Sequence, residues 1–265
     1  PAMHMQVREG QAAAPAPVKI STRGLDFFYD KFHALKGINL DIPEKRVTAL
    51  IGPSGCGKST AMRIALGLED YDSGEVQIAG QAPATATAAG VTGVAFQDAA
   101  LLPWRSVARN VALPLEVLGR DPAKYGHEIQ KLIELVGLKG YEKALPGELS
   151  GGMRQRVSIA RALITSPEVL FMDEPFGALD QIRRRQMNVE LQRIWSETKS
   201  TALLVTHGID EAVFLADYVV VMHANPGRVV DIVEVPFARP RDNDLYSDPQ
   251  FHALCDRIAK VLHGE

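Results

Sequence analysis

This sequence has few cysteines, no long apolar run and no large excess of charge of either sign. Each of these features argues against a class of protein. The two cysteines, Cys56 and Cys255, have no metal-ligand spacing, and they fit a reducing compartment rather than a disulfide framework. No stretch approaches the roughly 18 apolar residues of a membrane-spanning helix, so we expect any membrane role to depend on a partner. The formal net charge of −3 argues against nucleic acid as the main partner, because a nucleic-acid-binding face is basic.

The rest of the composition is that of a globular chain. Hydrophobic residues make up 46% and charged residues 23% of the 265 positions, which suits one large α/β domain or two small ones. Residues 1–17 are rich in alanine and proline, and they lack both a basic start and an apolar core. This segment is therefore expected to be a disordered leader and not a signal peptide.

A phosphate-binding loop is the most informative motif of the chain. Residues 52–59 read GPSGCGKS and match the pattern G-x-x-x-x-G-K-[ST] completely. The apolar run 46–51 predicts a buried strand before the loop, and residues 60–68 predict the helix that the loop opens. This context is the one that the motif requires, so the sequence predicts a nucleotide site. Its binding residues are Gly52, Pro53, Ser54, Gly55, Cys56, Gly57, Lys58, Ser59 and Thr60.

The chemistry of such a loop explains its residue types. The glycines allow the backbone to wrap close to phosphate oxygens, and successive N–H groups and the helix N-terminus then face the anion. Lys58 is expected to reach the β- and γ-phosphates, and the Ser59 hydroxyl is expected to ligate Mg²⁺. The loop alone does not say what the bound nucleotide drives.

Periodicity along the rest of the chain predicts strands that alternate with helices, and hence a mainly parallel sheet. Residues 18–40 and 74–78 indicate strands that flank the loop, whereas residues 81–89 indicate an Ala/Thr/Pro loop. Residues 98–149 change character and indicate a helical insertion, with helices over 106–118 and 121–136. The remaining expected elements are strands over 91–96, 168–172, 201–206, 218–222 and 228–235, helices over 150–165, 181–196 and 210–216, and a C-terminal amphipathic helix.

Two acids follow a buried strand in the second half of the chain. The run VLFMDE, residues 169–174, is four apolar residues followed by Asp173 and Glu174. By itself this pattern is common and also fits a strand that runs into a polar loop. After a complete phosphate loop it predicts Asp173 near Mg²⁺, through water, and Glu174 as the general base that polarises the attacking water.

A second glycine-rich helix start precedes that strand. In LSGGMRQR, residues 149–156, Ser150, Gly151 and Gly152 precede a predicted helix and expose another N-terminus suited to an anion. An ordinary serine cap with a glycine turn is the alternative. One nucleotide does not need two such helix starts from one chain, so we expect this one to serve a nucleotide held by another copy.

With these runs, the chain resembles the ATP-binding subunits of ABC transporters over residues 18–241. LSGGMRQR resembles the signature sequence of that family, and its position just ahead of VLFMDE is also the family's. The resemblance implies an α/β fold: a P-loop NTPase (RecA-like) core, an antiparallel β subdomain and an α-helical signature subdomain at about residues 98–158. Residues 242–265 would form a C-terminal helical tail.

The resemblance also implies the cofactors and the assembly. ATP and Mg²⁺ are expected to bind. Two copies of the chain would form a head-to-tail homodimer that holds two ATP molecules. Each ATP would lie between the phosphate loop of one copy and Ser150, Gly151 and Gly152 of the other.

Three polar site residues carry over from the resemblance one at a time. Gln97 ends an apolar strand and resembles the glutamine that touches Mg²⁺ and the lytic water. Asp180 belongs to residues 178–180, which resemble the loop that crosses the dimer interface. His207 follows the strand TALLVT and resembles the switch histidine that contacts the γ-phosphate. Gly208 departs from the family pattern, which has aspartate there, and this puts a helix-start interaction in doubt.

One aromatic residue is expected to stack on adenine. Tyr29 is the candidate, in the run FFY at residues 27–29. Its neighbours Phe27 and Phe28 are the alternatives.

Two segments resemble the importers of nitrate, taurine, alkanesulfonates and related small solutes. One is FQD at residues 96–98 with LLPWRSV at 101–107, and the other is NPGR at 225–228 running on to RPR at 239–241. An importer ATPase would lie peripherally at the cytoplasmic face of the inner membrane. There it would bind transmembrane permease subunits through residues near 101–107 and be served indirectly by a solute-binding protein. This chain does not name the solute.

The alternatives are an exporter or lipid-transport ATPase of the same fold, a soluble ABC ATPase acting on nucleic acid or ribosomes, and a regulatory module without turnover. The two importer-like segments argue against the first. The length and mild acidity argue against the second. Glu174 and His207 argue against the third.

Overall fold

The structure is a computed structural model that describes residues 17–177 and 179–264. All of the predicted leader except Pro17 therefore lies outside the described residues. The strands are β1 (Val18–Tyr29), β2 (Phe32–Pro43), β3 (Val47–Ile51), β4 (Ser73–Ile78), β5 (Thr92–Ala95), β6 (Val169–Asp173), β7 (Thr201–Val205), β8 (Tyr218–His223) and β9 (Arg228–Glu234). The α-helices are α1 (Lys58–Ala65), α2 (Pro83–Ala88), α3 (Val107–Val117), α4 (Gly126–Leu135), α5 (Gly151–Leu163), α6 (Gln181–Thr198), α7 (Ile209–Leu215) and α8 (Pro249–His263).

The larger sheet has the strand order β5-β6-β7-β3-β8-β9. Its first five strands pair in parallel, and β9 pairs antiparallel with β8. Every residue of β3 (VTALI) and β7 (TALLV) is buried. Continuous apolar runs are typical of parallel strands covered on both faces, which is why these segments occupy the middle of the sheet.

The smaller sheet is antiparallel, with the order β2-β1-β4. Its apolar face packs against the larger sheet and α1. Leu35 and Ile42 of β2 belong to the same buried cluster as Met62 of α1 and Phe171 of β6. This packing holds the β1–β2 hairpin beside the start of α1.

Helices α3, α4 and α5 form a layer on one side of the larger sheet. Val111 of α3, Ile133 of α4 and Val157 of α5 are fully buried in the cluster that also holds Ala49 of β3. The mixed α/β fold with one antiparallel and one largely parallel sheet confirms the predicted fold class.

Two elements differ from the sequence prediction. Residues 81–89 were expected to be a loop, but Pro83–Ala88 form α2. Proline at the first turn and alanine inside favour a helix, and burial of Ala86 stabilises it. Residues 121–136 were expected to be one helix. Instead a 3₁₀ turn, Pro122–Tyr125, precedes α4, because Asp121 accepts the N–H of Ala123 and tightens that turn.

The C-terminal segment packs on the larger sheet through α8. Phe251 and Ile258 of α8 are buried, and Asp248 caps the helix by accepting the N–H of Gln250. Across residues 17–177 and 179–264, no helix combines the length and apolar character needed to cross a membrane.

Candidate active site

Four neighbouring parallel strands end at one edge of the larger sheet, and the segments that follow them carry the site. β3 leads into the phosphate loop, β5 into Gln97, β6 into Glu174 and β7 into His207. The carboxyl edge of a parallel sheet is where ligands bind in open α/β folds. The topology therefore gathers residues that are far apart in sequence.

The phosphate loop wraps around the amine of Lys58. Lys58 Nζ donates hydrogen bonds to the carbonyl oxygens of Gly52 and Pro53 at 2.8 and 3.2 Å, and the side chain is buried. Gly57 precedes α1 with a φ of 93°, and a Cβ there would lie 2.4 Å from Leu35 Cδ2. Only glycine meets both demands. A cation beside a helix N-terminus suits this loop to binding an anion.

A glycine from a distant part of the chain packs against this loop. Gly227, in the NPGR motif, donates its N–H to the carbonyl oxygen of Ala34 at 3.0 Å. A Cβ on Gly227 would lie 2.3 Å from the carbonyl oxygen of Cys56. The close approach fixes the phosphate loop against the β2 strand. Sequence reasoning had used this motif only as a mark of resemblance and had missed its contact with the site.

A hydroxyl and a carboxylate meet at the start of α1. Ser59 Oγ donates to Asp173 Oδ1 at 3.3 Å. Desolvation raises the pKa of Asp173, and the hydrogen bond from Ser59 opposes that effect. Oxygen ligands of this kind are those that Mg²⁺ prefers, and a cation would offset the cost of burying the carboxylate. The residues present fit a magnesium ion.

Glu174 lies against His207 at the same edge. His207 Nε2 contacts Glu174 Oε1, with the Glu174 side chain 15% exposed and the His207 side chain 51% exposed. The backbone N–H of Glu174 donates to the carbonyl oxygen of Val205 at 2.8 Å, and its φ is 45°. Strained backbone of this kind, held by a neighbouring strand, is frequent at active sites.

Gln97 lies on the other side of Glu174, next to Gly177. A Cβ on Gly177 would lie 3.3 Å from Gln97 Nε2 and 3.5 Å from Glu174 Oε2. The segment before Gln97 is tied to the helical layer, because Gln155 of α5 donates to the carbonyl oxygen of Phe96 at 3.1 Å. Gln97 is thus placed between the acid and the helices.

The start of α7 has no side-chain cap at Gly208, as expected from the missing aspartate. Thr206 takes over part of that role: its Oγ1 accepts the N–H of Gly208 at 3.0 Å and donates to Glu211 Oε2. Desolvation raises the pKa of the buried Glu211, which the sequence analysis did not single out.

An open cleft of about 430 Å³ connects the phosphate loop with Glu174, His207 and the β1–β2 hairpin. Tyr29 lines this cleft, and its Oη lies 3.3 Å from Thr60 Oγ1. Phe27 is buried, and Phe28 stacks on His33 instead. Of the three aromatic candidates, the geometry therefore favours Tyr29. Phe32 also lines the cleft and was missed, because it lies beyond the FFY run in the next strand.

The LSGG segment does not share this cleft. Ser150 caps α5 by accepting the N–H of Met153 at 3.3 Å, and it is exposed together with Gly151. Gly151 lines a different cleft, together with Gln97 and Leu179. Asp180 is exposed and caps α6 through the N–H of Arg183 at 3.0 Å. Ala178, in the predicted interface loop, lies outside the described residues.

The fold and the residues at this edge of the sheet are those expected of a P-loop nucleotide-binding protein with a helical layer. A family model described as ABC transporter matches residues 35–177. The chain is 44% identical over 225 residues to the aliphatic sulfonates import ATP-binding protein SsuB of Bacillus subtilis, covering 84% of this chain and 85% of that protein. It is 43% identical over 237 residues to the taurine import ATP-binding protein TauB of Rhizobium johnstonii, covering 88% and 90%.

Solved structures agree with the sequence relatives. The dimeric structure of MJ0796, a bacterial ABC transporter cassette, has a TM-score of 0.71 at 28% identity, covering 83% of this chain and 100% of that one. A post-hydrolysis state of MJ0796 bound to ADP and Pi also has a TM-score of 0.71, at 26% identity. The chain belongs to the ABC transporter family, as an ATP-binding subunit with ATPase activity. The predicted resemblance is confirmed.

Proposed function

We propose that this protein is the ATP-hydrolysing subunit of an importer for a small solute of the nitrate, taurine and alkanesulfonate group. Its similarity to SsuB and TauB, which are import ATP-binding proteins for aliphatic sulfonates and taurine, supports this proposal. The observation that carries the hydrolytic part is the contact of His207 with Glu174 beside the phosphate loop.

ATP binds at the phosphate loop in this proposal. Lys58 and the loop amides bind the phosphates, and Tyr29 stacks on the adenine at the far end of the cleft. Ser59 and Asp173, with Gln97 nearby, would hold Mg²⁺, which would neutralise charge on the phosphates. The placement of Tyr29 next to Thr60 supports a nucleotide that spans from the hairpin to α1.

Glu174 acts as the general base. Its carboxylate is mostly shielded from solvent and is held by the β6 and β7 ends, which suits a group that must accept a proton from the attacking water. His207, in contact with that carboxylate and exposed to the cleft, orients it and reaches the γ-phosphate. Gln97 positions the water from the opposite side of Glu174.

A second copy of the chain completes the site. Ser150, Gly151 and Gly152 lie outside the phosphate-loop cleft of their own chain, yet they present an exposed helix N-terminus suited to phosphate. Closure of two copies head to tail brings this terminus onto the partner's ATP, with Asp180 near the contact. The dimeric MJ0796 cassette supports this arrangement.

The segment 101–107 contacts the permease. Trp104 is 72% exposed in this segment, an unusual position for a large apolar ring. Asn110 of α3 fixes this segment, because its Oδ1 accepts the N–H of Leu102 at 2.8 Å. The protein therefore lies at the cytoplasmic face of the inner membrane through its permease, and a solute-binding protein acts on the outer side.

Reconstitution tests this proposal. The tagged chain is co-purified with its membrane partners, placed in vesicles and supplied with the binding protein; uptake and phosphate release are then measured with taurine, an alkanesulfonate, nitrate or no solute. We expect one solute class to stimulate hydrolysis and enter the vesicles, and Glu174→Gln to abolish both. Two results would contradict an importer. One is ATP-driven transport of solute toward the side that holds the binding protein, and the other is a rate of ATP hydrolysis that none of the solutes changes.

A further inference from the structure

The side chain of Arg241 is buried against the C-terminal end of α7. Its Nη1 donates hydrogen bonds to the carbonyl oxygens of Val213, Phe214 and Ala216 at 3.1, 2.9 and 2.8 Å. The last carbonyls of a helix have no partner within the helix. A guanidinium placed there satisfies them and adds positive charge where the helix dipole is negative.

Burial of this guanidinium has a cost. Desolvation, together with the charge of Arg239, lowers the pKa of Arg241 to about 10. A buried cation is retained in a fold only when its hydrogen bonds are well made. Arg241 meets that condition, since its Nε and Nη2 also donate to the carbonyl oxygen of Phe237 at 3.1 and 2.8 Å.

Arg239 and Arg241, which we call the arginine clamp, join three elements of the site. Gln192 of α6 accepts the backbone N–H of Arg241 at 2.9 Å. Arg239 Nε donates to Asp217 Oδ1 at 3.2 Å, and Asp217 Oδ2 accepts the N–H of Val47 in β3 at 2.8 Å. The clamp therefore contacts α6, which begins beside Asp180, and α7, which follows His207. Through Asp217 it is also linked to β3, which leads into the phosphate loop.

Helix α7 is buried along most of its length, through residues 211–215, and polar contacts at its two ends add to that packing. It has only seven residues, a length of about 10 Å, so a contact at one end can influence the position of the other. Gly208 gives its N-terminal end no side-chain cap. His207, immediately before, is half exposed and has Glu174 as its side-chain contact among the described residues. Thr206 binds Gly208 and Glu211 at this end of the helix, and Arg241 binds the carbonyl oxygens at the opposite end.

From this geometry we propose that Arg241 is a positioning residue for ATP hydrolysis. By binding the C-terminal end of α7, it adds to the core packing of this helix and so holds His207 against Glu174. The inference rests on the proposed role of His207. It gives the RPR motif of residues 239–241 a physical role at a distance from the nucleotide.

The test compares three variants of the full chain. Arg241→Ala removes the contacts to α7, and Arg241→Lys restores a cation that can donate to the same carbonyls. Tyr246→Phe is the matched control: it deletes another buried bond of the tail, from Asn188 Nδ2 to Tyr246 Oη at 3.1 Å, but leaves Arg241 and the Tyr246–Phe214 stack. The readouts are kcat and KM for ATP, and hydrogen–deuterium exchange of residues 206–216 and 58–65.

We expect Arg241→Ala to raise exchange over 206–216 but not over 58–65, and to lower kcat about tenfold with KM unchanged, because a displaced catalytic group costs rate rather than binding. Arg241→Lys should recover part of both effects, and Tyr246→Phe should show neither. Unchanged exchange over 206–216 overturns the inference, as does raised exchange with normal kcat. If the wild-type chain had no ATPase activity, the proposed function and the predicted change in kcat would both be contradicted. Hydrogen–deuterium exchange over residues 206–216 would still decide whether the arginine clamp holds α7.

Discussion

His207 Nε2 contacts Glu174 Oε1, although the two residues follow different strands, β7 and β6. The contact exists because these strands are neighbours in the larger sheet, with Asp173 paired to Val205 at their ends. The acid is shielded and the imidazole faces the cleft. This difference in exposure suits an acid that accepts a proton from water and a histidine that contacts the terminal phosphate.

The first prediction concerns the acid. Glu174→Gln keeps the shape of the side chain but cannot accept a proton, so phosphate release should fall about 100-fold or more while ATP binding persists. ATP-bound dimers should accumulate and be visible by gel filtration. The control is Glu197→Gln, which makes the same substitution at an exposed position on α6 and should leave the rate of hydrolysis unchanged. Retained turnover in Glu174→Gln would refute the assignment of the base.

The second prediction concerns the pH dependence of stability. Burial raises the pKa of Asp173 above its ordinary value of 3.8. The folded state then binds this proton more tightly than the unfolded state, so the ionised carboxylate lowers the free energy of unfolding at neutral pH, and this cost disappears as the pH falls below the ordinary value. Asp173→Asn should therefore stabilise the protein at pH 7, measured by urea unfolding without nucleotide or metal.

Two further observations complete that experiment. The stability difference between Asp173→Asn and wild type should vanish as the pH is lowered toward the ordinary carboxyl range, and the variant should lose Mg²⁺-dependent hydrolysis. Asp256→Asn, on the exposed face of α8, should change neither. If Asp173→Asn were less stable than wild type at pH 7, burial of the ionised Asp173 carboxylate would not be destabilising the folded protein.

The third prediction concerns the adenine. Stacking of a base on an aromatic ring contributes about 1–3 kcal/mol, so Tyr29→Leu should raise the KM for ATP about tenfold with little change in kcat. Phe28→Leu is the matched control, since Phe28 stacks on His33 outside the cleft. An effect of Phe28→Leu as large as that of Tyr29→Leu would mean that the adenine lies on the other face of the hairpin.

The fourth prediction concerns the membrane partner. Leu102→Asp places a charge in the segment next to Trp104 and should weaken pull-down of the permease, because an apolar contact becomes a buried charge. The basal ATPase rate should stay the same. Val18→Asp, at an exposed position on β1, is the control for solubility. Unchanged pull-down with Leu102→Asp would remove this segment from the interface.

Sequence reasoning succeeded where a motif has a fixed place in the fold. The run VLFMDE had to be a buried strand ending in acids, and GPSGCGKS had to join a strand to a helix. It failed for Pro83–Ala88, where a short helix depends on burial of Ala86. It named Tyr29 as the adenine candidate but kept Phe27 and Phe28 as alternatives, since the register of β1 with β2 decides which ring faces α1.

Other features had no local signal. The contact of Gly227 with the phosphate loop and that of Arg241 with α7 join segments far apart in sequence. The subdomain limits at about residues 98–158 and 242–265 stay predictions, as do the chemical roles of Gln97, Asp180 and the other site residues.

The central claim is that each ATP site is completed by a second copy, and a mixing experiment tests it most directly. Lys58→Ala inactivates the phosphate loop, and Ser150→Arg inactivates the LSGG segment; Ser106→Arg, at the equivalent cap of α3, controls for loss of a capping serine.

Each of the two inactivating variants alone should lack ATPase activity. In a 1:1 mixture, half of the dimers are heterodimers with one intact site, so about a quarter of the wild-type rate should return. A mixture as inactive as its two components would contradict the shared site.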